Sequence, residues 1–196
     1  MVGANVGQST KKYIAKFPQA QIHCFEPSLK TFQNLKVNLS HFRNVTLNQI
    51  ALGLRNEKRS MISGENSELN KILVLNINEH VNVDVVEIST LTRYCKENNI
   101  KNISYLKIDT EGFDLQVLKS GETMLRNHSI DFIEIEVGMN PANDTHVPWE
   151  EIKKYMENMD YYLFGIYDQI REWKLQKPYL RRSNLVFLSK TKCDVL

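Results

Sequence analysis

Along its first fifty residues the chain alternates helical periodicity with short apolar runs, and that alternation restricts it to a sheet whose strands are joined by packed helices. Residues 9–17 read as a short helix, and 20–25 as an apolar strand ended by Glu26-Pro27. Leu29, Phe32, Leu35 and Leu39 recur at helical spacing, which predicts an amphipathic helix over 28–39. The run 45–51 reads as the next strand. The order helix, strand, helix, strand predicts an α/β fold with a mostly parallel sheet and helices on both faces.

The pattern weakens over 53–87, where charged and Asn-rich turns separate short apolar pieces at 72–75 and 81–88; this predicts a hairpin-like excursion. A helix over 90–98, capped near Ser89, leads to a strand over 103–108 that runs into Asp109-Thr110-Glu111-Gly112. Helical spacing resumes over 113–125, and the β-prone run 130–137 precedes a Pro/Asn/Gly-rich loop over 138–147. Pro148 stands where a helix would begin, with Trp149, Ile152, Met156 and Met159 on its core face. Two closing strands, 161–167 and 184–189, are joined by a polar connection through Trp173 and Pro178. No internal repeat or low-complexity linker is present, so residues 1–196 are expected to form a single domain.

Composition removes several function classes. The 25 Lys and Arg against 23 Asp and Glu leave a net charge of only +2, with no basic stripe to attract nucleic acid. No run approaches the roughly 18 apolar residues that spanning a bilayer requires, and no signal-peptide pattern opens the chain. A cytoplasmic protein without membrane partners is expected. Cys24, Cys95 and Cys193 are odd in number and widely spaced, which suggests neither a disulfide framework nor a zinc knuckle.

Three features point to a nucleotide-type ligand. Gly3 and Gly7 lie four apart immediately before a helix, with Ala4, Asn5 and Val6 between them, and Asn5 tolerates positive φ; such a loop lets backbone approach a ligand closely. Glu26 lies 19 residues beyond Gly7 at the end of the next strand, where doubly wound sheets carry an acid that accepts hydrogen bonds from ribose hydroxyls. Asp109 and Glu111 emerge at the carboxyl end of a later strand, the edge at which such sheets bind ligands. Either acid could instead cap the helix that follows, and the loop by itself could be a plain tight turn.

The motifs Val2-Gly3-Ala4-Asn5-Val6-Gly7, Phe25-Glu26-Pro27, Ala51-Leu52-Gly53 and Leu106-Lys107-Ile108-Asp109-Thr110-Glu111-Gly112, in this order and spacing, resemble the FkbM family. The likeness continues through Leu118-Lys119-Ser120-Gly121, Ile133-Glu134-Ile135-Glu136 and Asn184-Leu185-Val186-Phe187. The resemblance implies a class I methyltransferase of Rossmann-like fold, with S-adenosylmethionine as donor and a hydroxyl of a sugar or other small molecule as acceptor. It implies that Gly3, Ala4, Asn5 and Gly7 face the methionine end of the cofactor, that Glu26 with Pro27 borders its ribose, and that Ala51 borders its adenine. Asp109 then falls where cofactor and acceptor meet.

Methyl transfer to an alcohol requires alignment of oxygen, methyl and sulfur and removal of the hydroxyl proton. Asp109 ranks first as the proton acceptor and Glu111 second. His146 is a third candidate, although a lone loop histidine without an orienting partner is more often an ordinary surface residue. No metal residues are assigned: neither His-x-His nor His-Glu-x-x-His spacing occurs, although clustered carboxylates leave metal dependence open. Oligomeric state is not legible.

The chain departs from the family in two places. An apolar strand ending in an acid precedes the glycine loop in family members, whereas Met1 stands at that acidic position here. The expectation is therefore an incomplete reading of a longer protein that lacks its first strand; a chain truly starting at Met1 would bind cofactor weakly or be a non-catalytic remnant. Thr92 stands where the family often has Asp. A nicotinamide-dependent oxidoreductase shares the glycine loop and the ribose acid, but the Tyr-x-x-x-Lys pair of many such enzymes is missing.

Overall fold

The structure, a computed structural model, describes residues 1–62, 71–72, 83–173 and 175–193. The chain packs as two compact units, Met1–Thr90 and Leu91–Leu196.

The first unit opens with helix α1 (Gln8–Lys16), strand β1 (Ile22–Phe25), helix α2 (Leu29–Leu39) and strand β2 (Val45–Asn48). β1 and β2 are parallel, with Ile22 opposite Val45 and Phe25 opposite Asn48. Residues before the glycine loop run alongside β1: Phe25 donates its N–H to the Met1 carbonyl at 3.0 Å, and the Phe25 carbonyl accepts from Gly3 and Ala4. Ala4, Cys24, Leu35 and Leu39 form a buried cluster, with Ile14, Ile22 and Phe32 packed against it. The helical spacing of α2 thus places Leu35 and Leu39 on this core with Phe32 against it, whereas Leu29, at the first turn, is exposed.

The run 45–51 is two strands, not one. β3 (Ala51–Leu52) leaves β2 and pairs in parallel with β6 (Val83–Ser89). At the end of β2 the Asn48 side-chain amide donates to the Cys24 carbonyl at 3.0 Å and the Asn48 carbonyl accepts the Glu26 N–H at 3.1 Å. β6 pairs antiparallel with β4 (Glu57–Ile62), which also pairs with β5 (Lys71–Ile72). The hairpin-like excursion over 53–87 is therefore present as the β4–β6 pairing, while residues 73–75 and 81–82 of the expected apolar pieces lie outside the described residues.

The second unit contains α3 (Leu91–Glu97), β7 (Ile103–Ile108), α4 (Asp114–Ser120), α5 (Glu122–Arg126), β8 (Ile130–Gly138), α6 (Trp149–Glu157), β9 (Tyr161–Arg171), β10 (Leu180–Ser189) and α7 (Lys190–Cys193). Its sheet has the order β7-β8-β10-β9, with β7 and β8 parallel and the remaining pairs antiparallel. Period-two alternation divides the sheet: Ile133, Ile135, Val137, Leu185 and Phe187 are fully buried on one face, while Glu134, Glu136 and Asn184 lie on the other. Ile152, Met156 and Met159 complete the apolar core as the helix spacing requires.

Two local expectations are corrected. The helix over 113–125 breaks at Gly121, where a Cβ would lie 2.7 Å from Leu91 Cδ2; the close approach of α3 occupies the space a side chain needs. The N-terminus of α3 is capped from Ser120, not from Ser89. Leu91 donates its N–H to Ser120 Oγ at 3.0 Å, and the Thr92 hydroxyl donates to the Ser120 carbonyl at 2.7 Å. Ser89 donates instead to Asn56 Oδ1. Among the described residues no helix is long and apolar enough to cross a membrane.

Candidate functional site

In the first unit the glycine loop is held in left-handed backbone conformations, with φ of 76° at Gly3, 48° at Asn5 and 91° at Gly7. Gly7 meets a packing demand: a Cβ there would lie 2.8 Å from Leu39 Cδ1 and 3.0 Å from Leu35 Cδ1, so its lack of a side chain lets α2 approach the loop. The methyl of Ala4 is buried in the same apolar cluster. Asn38 of α2 donates to the Val6 carbonyl at 2.9 Å and ties the loop down.

Glu26 closes β1 and turns toward this loop. Its Oε2 accepts the Asn5 backbone N–H at 3.1 Å, and its Oε1 accepts that of Ser28 at 3.0 Å. The residue is 7% exposed. Burial pushes its carboxyl above the ordinary value, and the bonds from Ser28 and Asn5 oppose that shift only in part. Pro27 is half-buried, and Ser28 caps α2 by accepting the Thr31 N–H. Ala51 is buried with Met61, Val86 and Ile88.

In the second unit the turn after β7 is rigidly built. Asp114, fully buried at the start of α4, accepts the backbone N–H groups of Thr110 at 3.0 Å and Gly112 at 3.1 Å. Glu111 has φ of 50° and Gly112 of 102°, and a Cβ on Gly112 would lie 2.5 Å from the Thr145 carbonyl oxygen. No side chain caps α4, which leaves Asp109 and Glu111 free of the capping role considered for them. Asp109 Oδ2 lies 3.5 Å from Lys107 Nζ. Burial raises the Asp109 carboxyl, the charges of Glu136 and Asp114 add to the rise, and Lys107 opposes it.

The structure brings Glu111 and His146 together and supplies the orienting partners that the sequence did not reveal. His146 Nε2 lies 2.8 Å from Glu136 Oε2 and 3.4 Å from Glu111 Oε2, and Nδ1 lies 3.1 Å from Asn143 Oδ1. Glu136 Oε1 accepts from Arg182. Gly138, where a Cβ would crowd the His146 carbonyl at 3.3 Å, lets the 143–146 loop close over the end of β8. Burial alone would hold the ring neutral, but the hydrogen bond and charge of Glu136, with the charge of Glu111, raise His146 above its ordinary value. For Glu136 burial is likewise outweighed, by His146 and then by Arg182 and Lys107, and its carboxyl falls below the ordinary value. Glu111 is raised, chiefly by burial.

Beside this group Lys107 Nζ donates to Glu134 Oε1 at 2.9 Å, and Asn184 donates to the same oxygen at 2.8 Å and to Asp168 at 3.1 Å. Tyr105 donates to Glu134 as well. The one sequence signal for these partners is the alternation Ile133-Glu134-Ile135-Glu136: acids at period two in an apolar strand require a polar sheet face with matching donors.

These strand-end carboxylates and the positive-φ glycine loop belong to an α/β protein of methyltransferase-like fold. The chain is a member of the methyltransferase FkbM domain family, whose model matches residues 2–163. Among solved structures it is similar to the methyltransferase FkbM from Methylobacillus flagellatus KT, at 14% identity and a TM-score of 0.59 over 94% of this chain and 42% of that one. A LepI variant in complex with SAH and a substrate analogue is more distant, at 11% identity and a TM-score of 0.47, with 96% of this chain and 42% of that one covered. The chain thus spans less than half the length of these structures. No curated protein matches it.

Proposed function

We propose that this chain is the cofactor-binding part of an S-adenosylmethionine-dependent O-methyltransferase whose acceptor is a small molecule or saccharide hydroxyl. The observation that carries the reading is Glu26, a buried carboxylate at a strand end, held by a backbone N–H of the glycine loop. A carboxylate offers about four lone-pair sites. Asn5 and Ser28 take two, and the others suit the two hydroxyls of a ribose. Positive φ at Gly3 and Asn5 supports close backbone approach to the rest of the ligand.

S-adenosylmethionine supplies an electrophilic methyl group when bound, and the protein's share of the work is orientation, exclusion of water and handling of the acceptor proton. We assign proton acceptance to Asp109, a carboxylate raised by burial toward the range a general base needs, with Glu111 as the second candidate. A cytoplasmic location is part of the same reading.

Calorimetric titration with S-adenosylhomocysteine, and separately with NADH, tests the proposal. Heat with the former alone supports it. Heat with NADH alone assigns the glycine loop to a dinucleotide, and heat with neither leaves the fold as a binding module of another kind and refutes the cofactor role.

A further inference from the structure

We propose that Glu111, Glu136 and His146 form a binding site for a single first-row divalent metal ion, a property separate from the methyl-transfer reading. The argument begins outside the three residues, at Asn143. Its Oδ1 accepts the backbone N–H groups of Thr145 and His146, each at 3.1 Å, and its Nδ2 donates to the Arg181 carbonyl at 2.9 Å. These backbone partners determine which end of the amide is oxygen. That oxygen faces His146 Nδ1 at 3.1 Å, so Nδ1 carries the ring hydrogen and donates it.

The consequence falls on Nε2. In the neutral ring it holds a lone pair, its side chain is only 5% exposed, and the two atoms in front of it are carboxylate oxygens, themselves acceptors. As carboxylates, Glu111 and Glu136 have no hydrogen to donate to it. One atom of each residue lies within 4.8 Å of the other two, a triangle of one imidazole nitrogen and two carboxylate oxygens, two of the residues buried and Glu111 half-buried, that favours positive charge at its centre. A proton can be shared along one side of the triangle, whereas a metal ion at about 2.0–2.2 Å from each atom satisfies all three.

The surroundings are those of a ligand set already aimed. His146 donates its other ring N–H to the Asn143 amide oxygen, the kind of outer hydrogen bond that orients a ligating imidazole. Glu136 is held through Oε1 by Arg182, which leaves Oε2 pointing at the ring. Glu111 sits at a backbone position locked by Asp114 and Gly112 and is the most exposed of the three, which provides an entry path. The other charged groups acting on the cluster are Asp109, Asp114, Lys107 and Arg182, so the carboxylates Asp109, Glu111, Asp114 and Glu136 outnumber the fixed cations by two. One imidazole with two carboxylates suits Zn²⁺ or Mn²⁺ better than Mg²⁺ or Ca²⁺, which take oxygen ligands alone.

The test is titration of chelator-treated protein with ZnCl₂ and MnCl₂, read by calorimetry and by the ¹⁵N resonances of the histidine rings. The expected result is one equivalent bound, a shift of His146 Nε2 with retention of the hydrogen on Nδ1, and at least a tenfold loss of affinity in Glu111→Gln. That substitution lies at a half-buried turn side chain and keeps the fold; His146→Asn, with circular dichroism as the check on folding, should abolish the site. Cys193→Ser removes the exposed thiol as a competing ligand and should change nothing. Unaltered affinity in Glu111→Gln, or metal uptake that leaves the His146 ring untouched, overturns the proposal and leaves a proton as the only cation in the cluster. S-adenosylhomocysteine binding is read separately, so either proposal can fail without the other.

Discussion

The backbone N–H of Asn5 donates to Oε2 of Glu26 at 3.1 Å, which joins the turn before α1 to the end of β1. This bond serves both ends. It satisfies a loop donor in an unusual backbone conformation, and it aims a buried carboxylate at the loop.

Replacing Glu26 by Ala removes that acceptor. S-adenosylhomocysteine binding is expected to weaken by roughly 1.5–3 kcal/mol, the range for a hydrogen bond to a charged group. Calorimetry on the two proteins decides it, and equal affinities would remove Glu26 from the ribose role.

Acid should have the same effect through the same residue. Burial holds the Glu26 carboxyl above its ordinary 4.5. As the pH falls through that raised value the group gains a proton and loses acceptor capacity, so affinity should decline in wild type and stay level in Glu26→Gln. The stability linkage has the opposite sign. The folded state holds this proton more tightly than the unfolded chain does, so the increment is fully present below 4.5 and is lost as the pH rises through the raised value. Parallel binding curves for wild type and Glu26→Gln across the acid range would count against the assignment.

Gly112→Ala is expected to destabilise the protein by at least roughly 2 kcal/mol, because alanine at a φ of 102° is strained and its Cβ would meet the Thr145 carbonyl oxygen at 2.5 Å. Urea denaturation measures this. A midpoint equal to wild type would show that the loop bearing Thr145 yields without cost.

Lys107→Met leaves Glu134 as a buried acid without its cation, and a loss of about 3 kcal/mol is expected. Adding Glu134→Gln to the same chain should restore part of it, since a neutral amide needs no counter-charge. No recovery in the double variant would mean that the stem of Lys107 matters more than its charge.

Much of the fold could be read from local pattern. The strand over 103–108, the paired helix and strand periods of the first unit and the apolar face of α6 follow from periods of two and 3.6, which every neighbour along the chain reinforces. The glycine loop and Glu26 were legible for the same reason: a turn and a strand end lie at a spacing set by one intervening helix. The break at Gly121, the division of 45–51 into β2 and β3 and the capping of Leu91 from Ser120 were not, because each depends on an element distant in sequence.

What the amino-acid order determined by itself is the α/β pattern, the family motifs and the identity of the acids at the strand ends. The tertiary structure alone decided their company. Glu111, Glu136 and His146 stand 25 and 10 residues apart, and Arg182 lies 46 beyond Glu136, at no helical or strand period. Charges buried at the end of a sheet find partners wherever the packing of other strands and loops delivers them, and local periodicity carries no record of that delivery.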